Sequence, residues 1–250
     1  MGGGECTTQL ENFGFIPQHS KGTAFQITFR HLLNRAKERE IHTFWWAWEG
    51  MIRFELLQNI RFIEGIIHED HHFGALLFAQ SRKIAIMPSN LYNYRIRAGS
   101  TMTVWNANEI PSYLKPLCAH FYYKKARHYF RIYSLFITVK GIYDFAKNGV
   151  AQDLRADFEN FTLPYLIDVI CDIYAFYKDP YRLKPQIADL FKEIGVDSPL
   201  LPRKIKKHFA FYTRHILWNL APLILPCYEW LKGLERTFRH WRRRVFSKNT

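Results

Sequence analysis

Cysteine is scarce in this 250-residue sequence: Cys6, Cys118, Cys171 and Cys227 lie far apart, and no Cys-x-x-Cys pair occurs. That excludes a disulfide-stapled scaffold, leaves a structural zinc site without support, and points to a reducing compartment. Glycine (13) and proline (11) are too few for a collagen-like or low-complexity chain. With 48% apolar and 17% aromatic residues the chain can bury a core, which excludes disorder. Long apolar runs are missing as well. The longest in the C-terminal part, residues 215–228, has 14 residues and contains Pro222 and Pro226, whereas a spanning helix needs about 20. The opening Met1-Gly2-Gly3-Gly4-Glu5-Cys6 has neither the basic nor the apolar part of an export signal, so the expectation is a protein that is not exported. Its three glycines lack the preceding strand and the Lys-Ser/Thr of a phosphate loop.

What is abundant is positive charge, and it is uneven. The net charge is +13, of which residues 203–250 hold +10, with twelve Lys or Arg against Glu229 and Glu235. The other 202 residues carry only +3. The length suits one large domain or one domain with an extension, and the charge places that extension at the C-terminal end.

Residues 1–24 read as irregular structure. From Ala24, the apolar positions Phe25, Phe29, Leu32 and Leu33 follow the spacing of an amphipathic helix with a charged end. A second helix is predicted for residues 45–59. Before it comes Phe44-Trp45-Trp46-Ala47-Trp48, either core packing or a platform on which a sugar ring stacks, with Trp48 as the candidate sugar contact. Ile60-Arg61-Phe62 reads as a short strand or turn before Glu64-Gly65. A helix then carries Phe73, Leu76, Leu77 and Gln80 on one side, and strands are predicted at residues 83–87, stopped by Pro88, and 91–96. Helix, strand and strand predict a mixed α/β sheet. Beyond Thr103 long helical patterns run to residue 202, broken near Lys147-Asn148-Gly149 and at residues 177–180. No internal repeat is present.

Chemistry concentrates in residues 62–73, Phe62-Ile63-Glu64-Gly65-Ile66-Ile67-His68-Glu69-Asp70-His71-His72-Phe73. Three histidines and three acids suggest metal ligation, but adjacent His71 and His72 point in different directions, and neither His-Glu-x-x-His nor a spaced ligand pair occurs, so no metal ligand is assigned. Covalent catalysis lacks a nearby Ser or Cys with a base. Two readings remain open. Glu69 and Asp70 are acids that favour the positive end of a helix dipole, or Asp70 is a general base aimed into a cleft.

The string Asn59-Ile60-Arg61-Phe62-x-Glu64-Gly65-x-x-x-Glu69-Asp70-x-x-Phe73, followed by Pro88-x-x-Leu91-Tyr92-x-Tyr94-Arg95-x-Arg97-x-Gly99-Ser100-Thr101-Met102, resembles the C-terminal half of family 2 glycosyltransferases of bacterial surface-polysaccharide synthesis. The resemblance covers about residues 40–103. It implies a GT-A fold, here an α/β partial GT-A-like mixed sheet followed by a largely helical C-terminal region. It also implies inverting transfer of a sugar from a nucleotide-sugar donor to a cell-envelope glycan or lipid-linked glycan acceptor. Asp70 takes the place of the catalytic base and Glu69 neighbours it in the acceptor site. Arg95, Arg97 and Ser100 fall in the element that closes over the donor diphosphate. The family employs Mn2+ or Mg2+ held by an Asp-x-Asp motif in a nucleotide-binding half. That motif is absent, since no Asp precedes position 70. The pattern is therefore that of a truncated transferase, one piece of a split enzyme acting with a separate donor-binding half, or an acceptor-binding domain.

In residues 203–250, Leu217, Leu220, Leu223, Ile224, Trp230, Leu231, Leu234, Phe238 and Trp241 are interspersed with cations, a pattern suited to a helix lying on an anionic membrane surface. A helix packed on the body with a solvated basic face fits the same residues. No nucleic-acid-binding module is recognisable, so nucleic acid is not an expected partner. The expected organisation is residues 1–103 as the transferase portion, 104–202 as the helical region and 203–250 as the basic tail. The expected location is peripheral, on the cytoplasmic membrane's inner face. The competing class is a non-catalytic membrane- or partner-binding protein retaining a remnant of the fold.

Overall fold

The computed structural model describes residues 24–42, 44, 50–87, 110–195 and 198–201. They belong to two compact units, one running to Ile170 and the other beginning at Cys171.

The described part of the first unit opens with a strand where the helical spacing predicted a helix. β1 (Phe25–Ile27) pairs antiparallel with β2 (Ile84–Ile86), Phe25 opposite Ile86 and Ile27 opposite Ile84. Thr28 then starts α1 (Phe29–Glu38): its Oγ1 accepts the His31 N–H at 3.3 Å, and its own N–H donates to the His31 imidazole at 3.4 Å. The apolar stripe is real from Phe29 onward, burying Phe29, Leu32, Leu33 and Ala36. Phe25 matches its spacing but belongs to the strand, where aromatic and β-branched side chains are favoured.

The predicted second helix is also corrected. Of residues 45–59, those from 50 onward hold one 3-10 turn, Phe54–Leu57, with no buried residue. Met51 and Phe54 are exposed, and Ile52, Leu56 and Leu57 are only half-buried. That is little burial for a helix, and tertiary burial is what sustains most helices. Residues 45–49 lie outside the described set. Ile60–Phe62 forms neither helix nor strand, although Ile60 is buried. The helix predicted next is found as α2 (Glu69–Gln80), followed by β2 within the predicted strand.

Beyond a short 3-10 turn (Ser112–Leu114) and the helical turn α3 (Lys115–Cys118) come α4 (Tyr123–Asn148) and α5 (Gln152–Ile170). A three-residue connection at residues 149–151 joins α4 and α5 into a hairpin, the most extensive helix pairing in the unit. α1 lies against α5, where Phe29 meets Phe158 at 5.9 Å between ring centroids. Two exposed ion pairs, Arg30 with Asp153 and Lys37 with Asp157, flank this contact. Such pairs add at most about 1 kcal/mol each, so the apolar seam between them carries the packing.

The described residues are thus mostly helical. The mixed sheet expected from the sequence is, among them, a two-stranded antiparallel pair. The strand predicted at 91–96 lies outside the described residues. From Lys115 to Ile194 the chain is largely helical as predicted, interrupted at residues 119–122, after Asn148 and before Leu183. In the second unit, a 3-10 turn (Cys171–Ala175) precedes α6 (Leu183–Ile194). The Asp179 carboxylate accepts the N–H groups of Leu183 and Lys184, both at 2.8 Å, and so satisfies the first turn of α6.

What fixes α2 is a close backbone approach. A methyl group on Gly74 would lie 1.6 Å from the carbonyl oxygen of Phe44. Phe44 is fully buried, its ring among those of Phe161 (4.8 Å), Phe78 (5.6 Å) and Phe29 (5.9 Å). Gly74→Ala would raise intrinsic helix propensity by about 1 kcal/mol, yet it must separate α2 from Phe44. The expected net outcome is a loss of about 2 kcal/mol or more, read as a lowered denaturation midpoint. An unchanged or raised midpoint would show that the approach is not close.

Candidate functional site

The site is built where the chain enters α2. Gly65 turns the backbone at φ +75, a conformation that glycine adopts without penalty. The N–H of Ile67 then donates to Ser134 Oγ on α4 at 3.1 Å, and Ser134 Oγ donates to the Phe130 carbonyl at 2.9 Å. One buried hydroxyl therefore ties the approach segment to α4. Immediately after this tether, His68 adopts the left-handed conformation, φ 61 and ψ 36, as N-cap of α2, and its carbonyl accepts the His71 N–H at 3.2 Å.

This entry brings together three side chains. His68, Asp70 and His71 each present a metal-ligating type of atom, and these atoms all lie within 4.8 Å of one another. All three residues are half-buried, and the two imidazole centroids are 5.5 Å apart. Glu69 is exposed beside them. His72 departs from the cluster, as expected for a neighbour of His71. It is buried with its ring against α4, where a methyl on Gly141 would lie 2.6 Å from His72 Nε2. One turn into α2, Phe73 stacks on the half-exposed Phe62, with centroids 4.1 Å apart and planes 10° apart.

The electrostatics favour neutral imidazoles. Burial pushes His71 down to about 4, helped by the Arg131 guanidinium on α4. His68 is also lowered, first by burial and then by His71 and Arg131, against the opposing pull of Asp70 and Glu69. Burial alone lowers His72. At neutral pH the cluster is thus a carboxyl group beside two uncharged imidazoles, equipped to accept a proton from a hydroxyl or to ligate a metal ion.

Of the residues singled out in the sequence, Asp70 and Glu69 stand in the first turn of α2. Arg95, Arg97, Ser100 and Trp48 lie outside the described residues. Phe44, at the head of the aromatic patch, belongs to the core. The sequence offers three histidines for metal ligation but no recognisable ligand pair; the structure instead brings His68 and His71, at i, i+3, together with Asp70. Their i, i+3 spacing is the available signal, but the left-handed conformation at His68 that accompanies it is one a residue with a Cβ seldom adopts. The Mn2+ or Mg2+ of the transferase family does not fit the residues described. Two imidazoles and one carboxylate differ from the oxygen-rich sets that hold such hard ions, and the chain has no Asp-x-Asp pair.

Comparison with family profiles, with curated proteins and with solved structures finds no match to this chain.

The buried histidines make stability depend on pH with a definite sign. The unfolded chain protonates His71 near 6.5 and the folded chain only near 4. The unfolded state therefore binds more protons between those values, and stability falls as pH drops through that window. The contribution of His71 is on the order of 3 kcal/mol, fully present above about pH 6.5. In chelator-treated protein the denaturation midpoint should fall between pH 6.5 and 4, and His71→Gln should flatten that slope. An equally steep slope in the variant would refute the assignment.

Proposed function

We propose that this chain is the acceptor-side part of an inverting, family 2-like glycosyltransferase with a GT-A-like core, in which Asp70 is the catalytic base. The observation that carries this reading is the setting of Asp70. It is a half-buried carboxyl group in the first turn of a helix tied to α4 through Ser134, flanked by two imidazoles held neutral by burial. The exposed face of Phe62, stacked on Phe73 one turn further along, suits the apolar face of a sugar ring.

In this reading an acceptor hydroxyl donates its proton to the Asp70 carboxylate as its oxygen attacks the anomeric carbon of the donor from the face opposite the leaving group. The new glycosidic C–O bond forms, the bond from the anomeric carbon to the diphosphate oxygen breaks with inversion, and the nucleoside diphosphate leaves with the electron pair. A sugar hydroxyl is a weak nucleophile until a positioned base takes its proton, a contribution of about 10²–10⁴ in rate. Glu69, exposed beside the base, contacts the acceptor. Arg95, Arg97 and Ser100 offer cations and a hydroxyl to the diphosphate, and Trp48 a face to a sugar. The remainder of the donor site comes from a separate donor-binding half.

The basic residues 203–250 hold the protein at the anionic inner face of the cytoplasmic membrane, where a lipid-linked glycan acceptor is presented. Each cation near such a surface contributes about 1 kcal/mol.

Two experiments test the reading. Asp70→Asn should lower sugar transfer by at least about a hundredfold while circular dichroism and the denaturation transition persist; transfer that survives in a folded variant removes Asp70 as the base. Deleting residues 203–250 should abolish co-sedimentation with vesicles containing anionic lipid, and unchanged sedimentation refutes the anchor.

A further inference from the structure

We propose that His68, Asp70 and His71 form a three-ligand site for a divalent ion of the zinc class. The juxtaposition is geometric. One ligand-type atom from each residue lies within 4.8 Å of the other two, and a tetrahedral ion with bonds of about 2.0–2.2 Å to nitrogen and oxygen requires separations of about 3.3–3.5 Å. Binding therefore draws the ligand atoms together by at most about 1.5 Å, and all three ligands stand on one backbone turn whose approach segment donates to Ser134 through the Ile67 N–H. Three protein ligands with a further position left for water or substrate is the composition of reactive rather than structural zinc sites.

The surroundings select the kind of ion. The positive end of α2 and the Arg131 guanidinium both oppose a dication, and Asp70 with Glu69 offset that opposition only in part. A hard ion such as Mg2+ or Ca2+, which depends on charge and oxygen ligands, finds one ligating carboxylate. A borderline ion such as Zn2+ or Co2+ gains its affinity from coordination by the two imidazoles. His72 cannot substitute for either ring, because it is turned onto Gly141.

The site does not rest on the transferase reading, since metal binding is measured directly and would outlast the failure of that reading. Under that reading the bound ion occupies the carboxylate that takes the acceptor's proton, and excess Zn2+ suppresses transfer.

The test is calorimetric titration of the full, tag-free, chelator-stripped chain with Zn2+. The expected result is one ion bound per chain, weakened roughly tenfold or more in each of His68→Ala, Asp70→Asn and His71→Ala, unchanged in the exposed control His120→Ala, and not displaced by millimolar Mg2+. Loading the unaltered chain with Co2+ gives a readout independent of variant folding: a ligand-field spectrum of low-coordinate cobalt without thiolate charge transfer. Absence of stoichiometric Zn2+ binding overturns the proposal, as does binding that persists in the His68 and His71 variants, thiolate charge transfer in the cobalt spectrum, or displacement by Mg2+.

Discussion

The contact on which the described site most depends is the approach of Gly74 to the carbonyl of Phe44. It places one side of α2 against the fully buried Phe44 and the rings around it, and Asp70 and His71 lie about one turn from that contact. A glycine inside a helix forgoes about 1 kcal/mol of propensity. Here the sacrifice allows two backbones to come closer than any side chain would permit, and the chemistry at the helix start inherits the position so defined. At its other edge the helix meets α4 through the Ser134 tether and the His72 ring over Gly141. A second glycine therefore gives room where the first gives approach, and the two contacts hold α2 from different directions.

Charge around the site is balanced rather than complementary. The helix terminus and Arg131 are positive influences, Glu69 and Asp70 are negative ones, and the imidazoles are kept uncharged by burial. Neutral imidazoles matter for either chemistry, since a protonated neighbour would hold a carboxylate in its charged form and blunt it as a base, and only an unprotonated ring nitrogen can ligate. Arg131 does this at a distance, through its field.

Much of the fold could be read from local sequence, and the exceptions share a cause. α2 and β2 and the helix breaks at Asn148 and before Leu183 follow from apolar spacing, proline and turn residues, all of which act locally. β1 escaped because Phe25 also satisfies a helical spacing, and only pairing with Ile86, far along the chain, makes it a strand. The helix expected at residues 45–59 does not form over its described part, where Met51 and Phe54 stay exposed and no residue of the Phe54–Leu57 turn is fully buried. At the site, the acidic pair at the start of α2 was evident. The association of His68 with Asp70 and His71 was less so, because it goes with a left-handed backbone at a residue other than glycine, which local sequence does not announce.

His68 carries a further implication. A residue with a Cβ pays for the left-handed region in conformational energy, whereas glycine enters it freely and asparagine with less difficulty than most. At this position the amino acid best for folding is therefore not the one that supplies an imidazole. Selection for stability alone would drive position 68 toward glycine or asparagine, and the histidine would be retained only under pressure on its ring. Among related sequences, the residue at 68 would act as a gauge of whether that pressure persists: a drift to glycine accompanied by an intact Gly74 and Ser134 would mark lineages that keep the scaffold and have given up the chemistry.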